Sequence, residues 1–167
     1  HNIINKFGKN HNKFWWGGQA IATSEKHIPR QAYKLAVQAG LKYLIVGVES
    51  GSKKVRWEMN KKFYDVDLYY TLSICRKYKI NIVPLMIIGF PTETESDFQK
   101  TLDFLELYKN FSNKQISIKP FNTSLMSLGP NMEITINLDK YTIKNIKNNW
   151  NWNSNYHDLN ERIQRLY

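Results

Sequence analysis

An apolar run that stops at a carboxylate constrains this chain more than any other feature of its sequence. Residues 44–48 read Leu-Ile-Val-Gly-Val, and Glu49, Ser50, Gly51 and Ser52 follow at once. A continuous apolar run of this kind predicts a strand that is buried on both faces, as in parallel sheets. Ligands in α/β folds bind beyond the carboxyl ends of such strands. The sequence therefore predicts that Glu49 lies at a binding or catalytic site.

The same pattern occurs a second time, at residues 85–93. An apolar run ends there at Gly89, and Phe90, Pro91 and Glu93 lie in the turn that follows. A helical pattern then begins at Thr94, as it does after the first run. Two strand ends of this kind, side by side, predict the floor of a single site.

Apolar periodicity and turn residues predict four strands that alternate with helices. The strands are predicted at residues 15–20, 43–48, 82–88 and 115–119, and the main helices at 29–39, 65–78 and 94–108. Short helical crossovers predict parallel strands that are adjacent in chain order. A complete eightfold barrel needs about 250 residues, which is more than this chain contains. The predicted α/β fold is therefore part of a TIM-like barrel, an arc or an open doubly wound sheet. Pro84 favours an edge or a bulge in the third strand.

The chain divides by composition into three parts. Residues 1–13 are polar and without periodicity, which predicts a linker or loop, and residues 14–128 carry the strand and helix patterns of a core. Residues 129–167 are rich in asparagine and predict an irregular C-terminal extension with a terminal helix. Two tryptophans in that extension, Trp150 and Trp152, more often anchor such a segment than stack on nucleic-acid bases.

Composition limits the class of protein and its ligands. The single cysteine, Cys75, excludes an internal disulfide and a cysteine-pair metal site, and it shares a predicted apolar helix face with Leu68 and Leu72. We therefore expect Cys75 to be buried and unreactive. No apolar run is long enough to span a membrane, and a cytoplasmic protein is expected. The net charge of +10 permits a nucleic-acid partner, and the start at His1 suggests a fragment.

Four segments together resemble the radical S-adenosylmethionine (SAM) superfamily, with the closest resemblance to its Elp3-like and cobalamin-dependent branch. These segments are residues 47–52, 59–61, 87–94 and 120–123, and the resemblance extends over residues 14–128. The elements Gly-Val-Glu-Ser-Gly-Ser and Gly-Phe-Pro-x-Glu-Thr are far more specific together than either is alone. The resemblance implies a partial barrel of six βα units, of which the four strands here are the last four.

The resemblance also implies roles for individual residues. Glu49 would lie beside the ribose and amino end of SAM, and Ile87 with Gly89 would pack along the adenine. For Glu93 there is an alternative role, as a carboxylate favoured at the start of a helix. Gln19, on the first predicted strand, projects toward a ligand in one interpretation and has no site role in the other. The predicted cofactor-binding residues are Gln19, Glu49, Ser50, Ile87, Gly89, Phe90, Pro91 and Glu93.

The sequence also departs from the family. The Cys-x-x-x-Cys-x-x-Cys loop that holds the four-iron four-sulfur cluster is absent, and Thr92 replaces a usual glycine. The resemblance therefore implies that the cluster ligands lie on an upstream part of the same protein or on a separate chain. It leaves open whether cobalamin is used, and it assigns no catalytic residue and no metal ligand in this sequence.

Three functions remain as hypotheses. The first is the C-terminal part of a radical SAM enzyme core that binds SAM for reductive cleavage to a 5'-deoxyadenosyl radical, with a small-molecule or RNA substrate. The second is a catalytically inert, basic binding module with an RNA or protein partner. The third is an ordinary barrel enzyme with Glu49 as general base, which is disfavoured because no His, Lys or metal ligand obviously converges on Glu49.

Overall fold

The computed structural model describes residues 14–111 and 123–166, and these ranges form an α/β structure. The strands are β1 (Trp16–Ala20), β2 (Leu41–Glu49), β3 (Asn81–Ile88) and β4 (Thr123–Leu125). The helices are α1 (Arg30–Gln38), α2 (Lys53–Glu58), α3 (Asp65–Lys77), α4 (Glu95–Phe111), α5 (Glu133–Ile136) and α6 (Leu159–Gln164). Within these ranges no helix has the length and apolarity that crossing a bilayer requires.

The strands form one parallel sheet in the order β1-β2-β3-β4, which confirms the predicted α/β fold class. Gln19 of β1 is in register with Ile45 of β2, and Ile88 of β3 with Leu125 of β4. The strand predicted at residues 115–119 lies outside the described residues. A turn is predicted for residues 120–125, whereas Thr123–Leu125 form β4, because pairing with β3 outweighs the local turn signal.

Pro84 lies within β3 and is buried. Proline removes one backbone donor, so a strand tolerates it where no neighbour needs that donor. In the described residues, β4 pairs with β3 only along Met86–Ile88. Pro84 lies outside this paired stretch, and the expectation of an edge or a bulge at Pro84 stays a prediction.

Contacts divide the described residues into two compact units whose segments alternate along the chain. The first unit contains residues 14–48, 61–85 and 106–111. Cys75 lies in it with none of its surface exposed, and burial raises the pKa of its thiol to about 12. This confirms that Cys75 is buried and explains why it would be unreactive, because the thiolate is the reactive form.

The second unit contains residues 49–60, 86–105 and 123–166 and has its own apolar core. Half of the residues of that core lie in the C-terminal extension, in which Trp152 is fully buried while Trp150 is exposed. Trp152 therefore anchors the extension. The predicted domain boundary after residue 128 stays a prediction. The core residues are Val55, Phe90, Met126, Leu128, Ile134, Tyr141, Ile143 and Trp152.

Candidate functional site

Glu49, the last residue of β2, has a strained backbone. Its φ angle is 67°, in the left-handed region, and its exposed fraction is 7%. A residue with a Cβ pays about 1–2 kcal/mol for this conformation. Such strain persists only where surrounding contacts impose it, and it is concentrated at ligand-binding and catalytic positions.

The segment directly after Glu49 is held by hydrogen bonds to α4. The Oγ of Ser50 lies 3.3 Å from Thr101 Oγ1, and the N–H of Gly51 donates to the same Thr101 oxygen at 3.0 Å. The N–H of Ser52 donates to Ser50 Oγ at 3.0 Å. A Cβ on Gly51 would lie 2.1 Å from the carbonyl oxygen of Lys100, so only glycine allows this close approach.

Asp97 provides the second attachment of this segment to α4. Its carboxylate accepts hydrogen bonds from Ser52 Oγ at 2.7 Å, Thr94 Oγ1 at 2.7 Å and Lys54 Nζ at 3.1 Å. Burial acts to raise the pKa of Asp97, but the hydrogen bonds from Ser52, Thr94 and Lys54 outweigh it and hold the pKa well below its usual range. Asp97 is therefore ionised near neutral pH and joins the segment to the start of α4.

Arg56 of α2 forms the third attachment. Only 1% of its surface is exposed, and its Nη1 donates to the carbonyl oxygens of Ser50 at 3.0 Å and Gly51 at 2.8 Å. A buried guanidinium gives strong, charge-assisted hydrogen bonds to backbone carbonyls. Together with Thr101 and Asp97, it fixes the backbone on the C-terminal side of Glu49, which accounts for the strained φ angle.

The turn after β3 is closed by Glu93. The N–H of Gly89 donates to Glu93 Oε2 at 3.0 Å, and Arg165 Nη1 donates to the same oxygen at 3.2 Å. None of the surface of Glu93 is exposed, and this burial raises its pKa to about 7, although the hydrogen bond from Gly89 and the charge of Arg165 act against the rise. Glu93 thus has an internal role in the turn, and its contact with a cofactor stays a prediction.

The C-terminal extension contacts the same turn at two more points. The ring of His157 has Nε2 2.9 Å from the carbonyl oxygen of Phe90, so Nε2 carries the proton and donates. Burial lowers the pKa of His157, which favours the neutral ring. The aliphatic part of Arg162 lies directly against Gly89. The segment that ends in α6 therefore packs on the turn after β3.

The structure places most of the predicted cofactor-binding residues in the second unit. Gln19 is the exception, since it is exposed on β1 in the first unit. Ile87 is half-buried and packs against the apolar core of the second unit. The predicted residues in the second unit are Glu49, Ser50, Ile87, Gly89, Phe90, Pro91 and Glu93.

Two of these features fit a nucleotide with cationic and hydroxyl groups. Glu49 supplies a carboxylate at a strand end, and the half-buried Ile87 supplies apolar surface against which a flat ring can pack. Metal ligands are a different matter, because the residues described contain no group of three or more His, Cys, Asp and Glu side chains placed to hold an ion.

Sequence patterns did not point to several residues that build this site. Arg56 sits in a basic segment with no motif, and Thr101 lies within an ordinary helix. Thr94 and Asp97 have the pattern of a helix N-terminus, which predicts only that Asp97 caps α4. In the structure Asp97 also accepts a hydrogen bond from Ser52 Oγ. In the sequence, Arg56 is one basic residue among several and Thr101 is one small polar residue of a helix. Neither feature identifies a site residue specifically.

Comparison with known proteins identifies relatives over this part of the chain. The model of the radical SAM superfamily matches residues 17–105. A tRNA-2-methylthio-N(6)-dimethylallyladenosine synthase of Rickettsia typhi is 40% identical over 70 residues, which are 40% of this chain and 16% of that protein. A threonylcarbamoyladenosine tRNA methylthiotransferase of Drosophila melanogaster is 31% identical over 86 residues, covering 50% of this chain and 16% of that protein. The match thus spans about a sixth of these curated relatives.

Solved structures show the same fold. The cobalamin-dependent S-adenosylmethionine radical enzyme OxsB, with aqua-cobalamin and S-adenosylmethionine bound, superposes with a TM-score of 0.68 at 15% sequence identity. The superposition covers 98% of this chain and 30% of that chain. At this identity the likeness concerns the fold, and it includes the C-terminal extension.

Proposed function

This chain belongs to the radical SAM superfamily, and we propose that it supplies part of the SAM-binding side of a radical SAM enzyme core. The observation that carries the proposal is Glu49: a carboxylate at the end of a parallel strand, in a strained conformation imposed by Thr101, Asp97 and Arg56. A protein retains such strain where function requires the position.

Each residue has a definite part in this proposal. The carboxylate of Glu49 would accept hydrogen bonds from the ribose hydroxyls or the ammonium group, which are stronger than hydrogen bonds between neutral groups. Ile87 and Gly89 would pack along the adenine. Ser50, whose Oγ is hydrogen-bonded to Thr101 Oγ1, would position Glu49. When bound, SAM would be the source of a 5'-deoxyadenosyl radical, and an iron-sulfur cluster would supply the one electron that its reductive cleavage to methionine and the radical consumes.

The cluster and the substrate require parts beyond this sequence. The only cysteine here is Cys75, so we assign the cluster to cysteines on an upstream segment of the same protein or on a separate chain. The relatives named above act on tRNA by name, and the net charge of +10 suits a phosphate-rich partner. We therefore favour an RNA substrate over a small molecule.

Cobalamin is a second proposed cofactor with weaker support, since the cobalamin-bound neighbour shares only the fold. Membership of the Elp3-like branch and a cytoplasmic location stay predictions from the sequence. The alternative function, an inert basic binding module, predicts binding of RNA without any affinity for SAM.

The test is calorimetric titration with SAM of the protein reconstituted with its cysteine-bearing part. Loss of one charged hydrogen-bond partner costs about 1.5–3 kcal/mol, so Glu49→Gln should weaken binding by roughly ten- to a hundredfold. Glu106→Gln, which changes an exposed carboxylate of α4, should bind like the wild type. Wild-type affinity in Glu49→Gln would overturn the assignment, and absence of SAM binding to the wild type would favour the inert module.

A further inference from the structure

Arg162 is a buried cation whose charge has no acidic partner within hydrogen-bonding distance in the described residues. None of its surface is exposed. Its Nη2 donates to the carbonyl oxygen of Trp150 at 2.8 Å, while Nε and Nη1 have no partner in the described ranges. The carboxylate of Asp158, the N-cap of α6, attracts the charge of Arg162 electrostatically, while its Oδ1 accepts the N–H of Glu161. Burying a charge in this way is costly unless a counter-charge accompanies it.

Two further buried groups beside Arg162 are also unpaired. The guanidinium carbon lies 3.7 Å from the centre of the Trp152 ring, and the ring centres of Trp152 and His157 are 5.8 Å apart. Trp152 Nε1 and His157 Nδ1 have no hydrogen-bond partner within the described part of the chain. Trp152 is 0% and His157 3% exposed, so bulk water does not reach them.

The unpaired groups are mostly hydrogen-bond donors, so a ligand that pairs with them must carry several acceptor atoms. Arg162 Nε and Nη1 carry three N–H groups between them and Trp152 Nε1 carries one, and all are donors only. His157 donates through Nε2 to Phe90, so its Nδ1 is an acceptor while the ring is neutral. One water molecule has two acceptor sites and two hydrogens, and therefore cannot satisfy this set. A protonated oxyanion offers several acceptor oxygens and one O–H.

We propose that Arg162, Trp152 and His157 form a buried binding site for one phosphate-type oxyanion. Arg162 would neutralise the charge through charge-assisted N–H hydrogen bonds, which guanidinium groups form with phosphate. Trp152 would donate a third hydrogen bond, and the O–H of the oxyanion would donate to His157 Nδ1. All three residues lie in the second unit.

The ligand is a free phosphate ion or the phosphate group of a monoester. The two differ in size, so an enclosed site admits the ion and excludes the larger monoester. Thermal unfolding of the complete chain is followed at about pH 6, where both ligands still carry an O–H, with increasing inorganic phosphate or glycerol 2-phosphate at constant ionic strength. Saturating stabilisation is expected, since a ligand that binds only the folded state raises the melting temperature. Response to both ligands identifies a phosphate monoester, and response to inorganic phosphate alone identifies an enclosed ion.

Variants separate this site from general anion effects. Arg162→Met keeps a stem against Gly89 and removes every donor, so the apparent Kd for phosphate should rise at least about tenfold. Arg162→Lys, which retains the charge, should weaken binding less and is the variant to use if Arg162→Met does not fold. Arg165→Met is the matched control, because Arg165 is already paired with Glu93 and Glu95, and it should respond like the wild type.

Sulfate provides a second readout, since it lacks the O–H that His157 Nδ1 would accept and should stabilise the wild type less than phosphate. Equilibrium dialysis against labelled phosphate should give one site per chain. The proposal is overturned if phosphate and sulfate stabilise the wild type no more than chloride does, or if Arg162→Met and Arg162→Lys keep the full phosphate response.

Discussion

Gly89 and Arg162 lie so close together that a Cβ on Gly89 would be 2.2 Å from Arg162 Cδ. The φ angle of Gly89 is 79°, a conformation that residues with side chains rarely adopt. Two separate features therefore require glycine at this position. The turn after β3 needs a positive φ angle, and the aliphatic part of Arg162 leaves no space for a side chain. The predicted packing of Gly89 along the adenine of SAM stays a prediction.

Gly89→Ala should destabilise the protein by about 2–5 kcal/mol, from a left-handed penalty of about 1–2 kcal/mol and an overpacking cost of about 1–3 kcal/mol. Adding Arg162→Ala should relieve only the overpacking, so rescue should be partial. Gly18→Ala is the control, because its Cβ would meet no atom closer than 3.8 Å. Urea unfolding measures all of these changes, and an unaffected Gly89→Ala would contradict the contact.

Glu49→Gly should make the protein more stable, since glycine adopts a φ angle of 67° without penalty. The expected gain is about 1 kcal/mol in the free energy of unfolding, while SAM affinity should fall as in Glu49→Gln. Lys79→Gly, at an exposed residue with a φ angle of 56°, should give a similar gain with no effect on SAM binding. A loss of stability in Glu49→Gly would show that its side chain stabilises the fold.

Glu93 should make stability depend on pH around neutrality. Burial raises its pKa to about 7 from an ordinary 4.5, so between these values the folded state binds a proton that the unfolded state has lost. The contribution of Glu93 to stability is therefore complete below about pH 4.5 and is lost as the pH rises through about 7. The comparison needs a variant that cannot titrate at this position.

Glu93→Gln is that variant. From about pH 4.5 to 7.5, the unfolding free energy of the wild type minus that of Glu93→Gln should fall by about 2–3 kcal/mol. Burial lowers the pKa of His157, which gives the opposite trend below about pH 6.5, but His157 is present in both proteins and cancels in the difference. Urea unfolding across this range tests the prediction, and a flat difference would rule out the buried carboxylate as its source.

Asp97→Asn should destabilise the protein at neutral pH by about 1–3 kcal/mol, because it places an amide N–H₂ where Lys54 and Thr94 donate. The pKa of Asp97 is held below its ordinary 3.8, so its contribution is present above that pH and is lost as the pH falls through the folded-state pKa. The gap between wild type and variant should therefore narrow in acid. Asp103→Asn, at an exposed position of α4, should show neither effect.

Local patterns in the sequence determined most of the strands and helices, and they also determined which strand end carries the candidate site. Strands β1, β2 and β3 and helices α1, α3 and α4 follow from apolar runs and periodicities that involve residues close in the chain. The position of Glu49 at the carboxyl end of a buried strand follows from the same run. The burial of Cys75 also follows, since a helix face is defined by residues three and four apart.

Only the tertiary structure decided how the two strand ends are held. Ser50 meets Thr101 across 51 residues, Phe90 meets His157 across 67, and Glu93 meets Arg165 across 72. No local period encodes such pairs, because they form when separate elements pack together. The left-handed φ angle of Glu49 is likewise imposed by that packing, since glutamate has no intrinsic preference for this conformation.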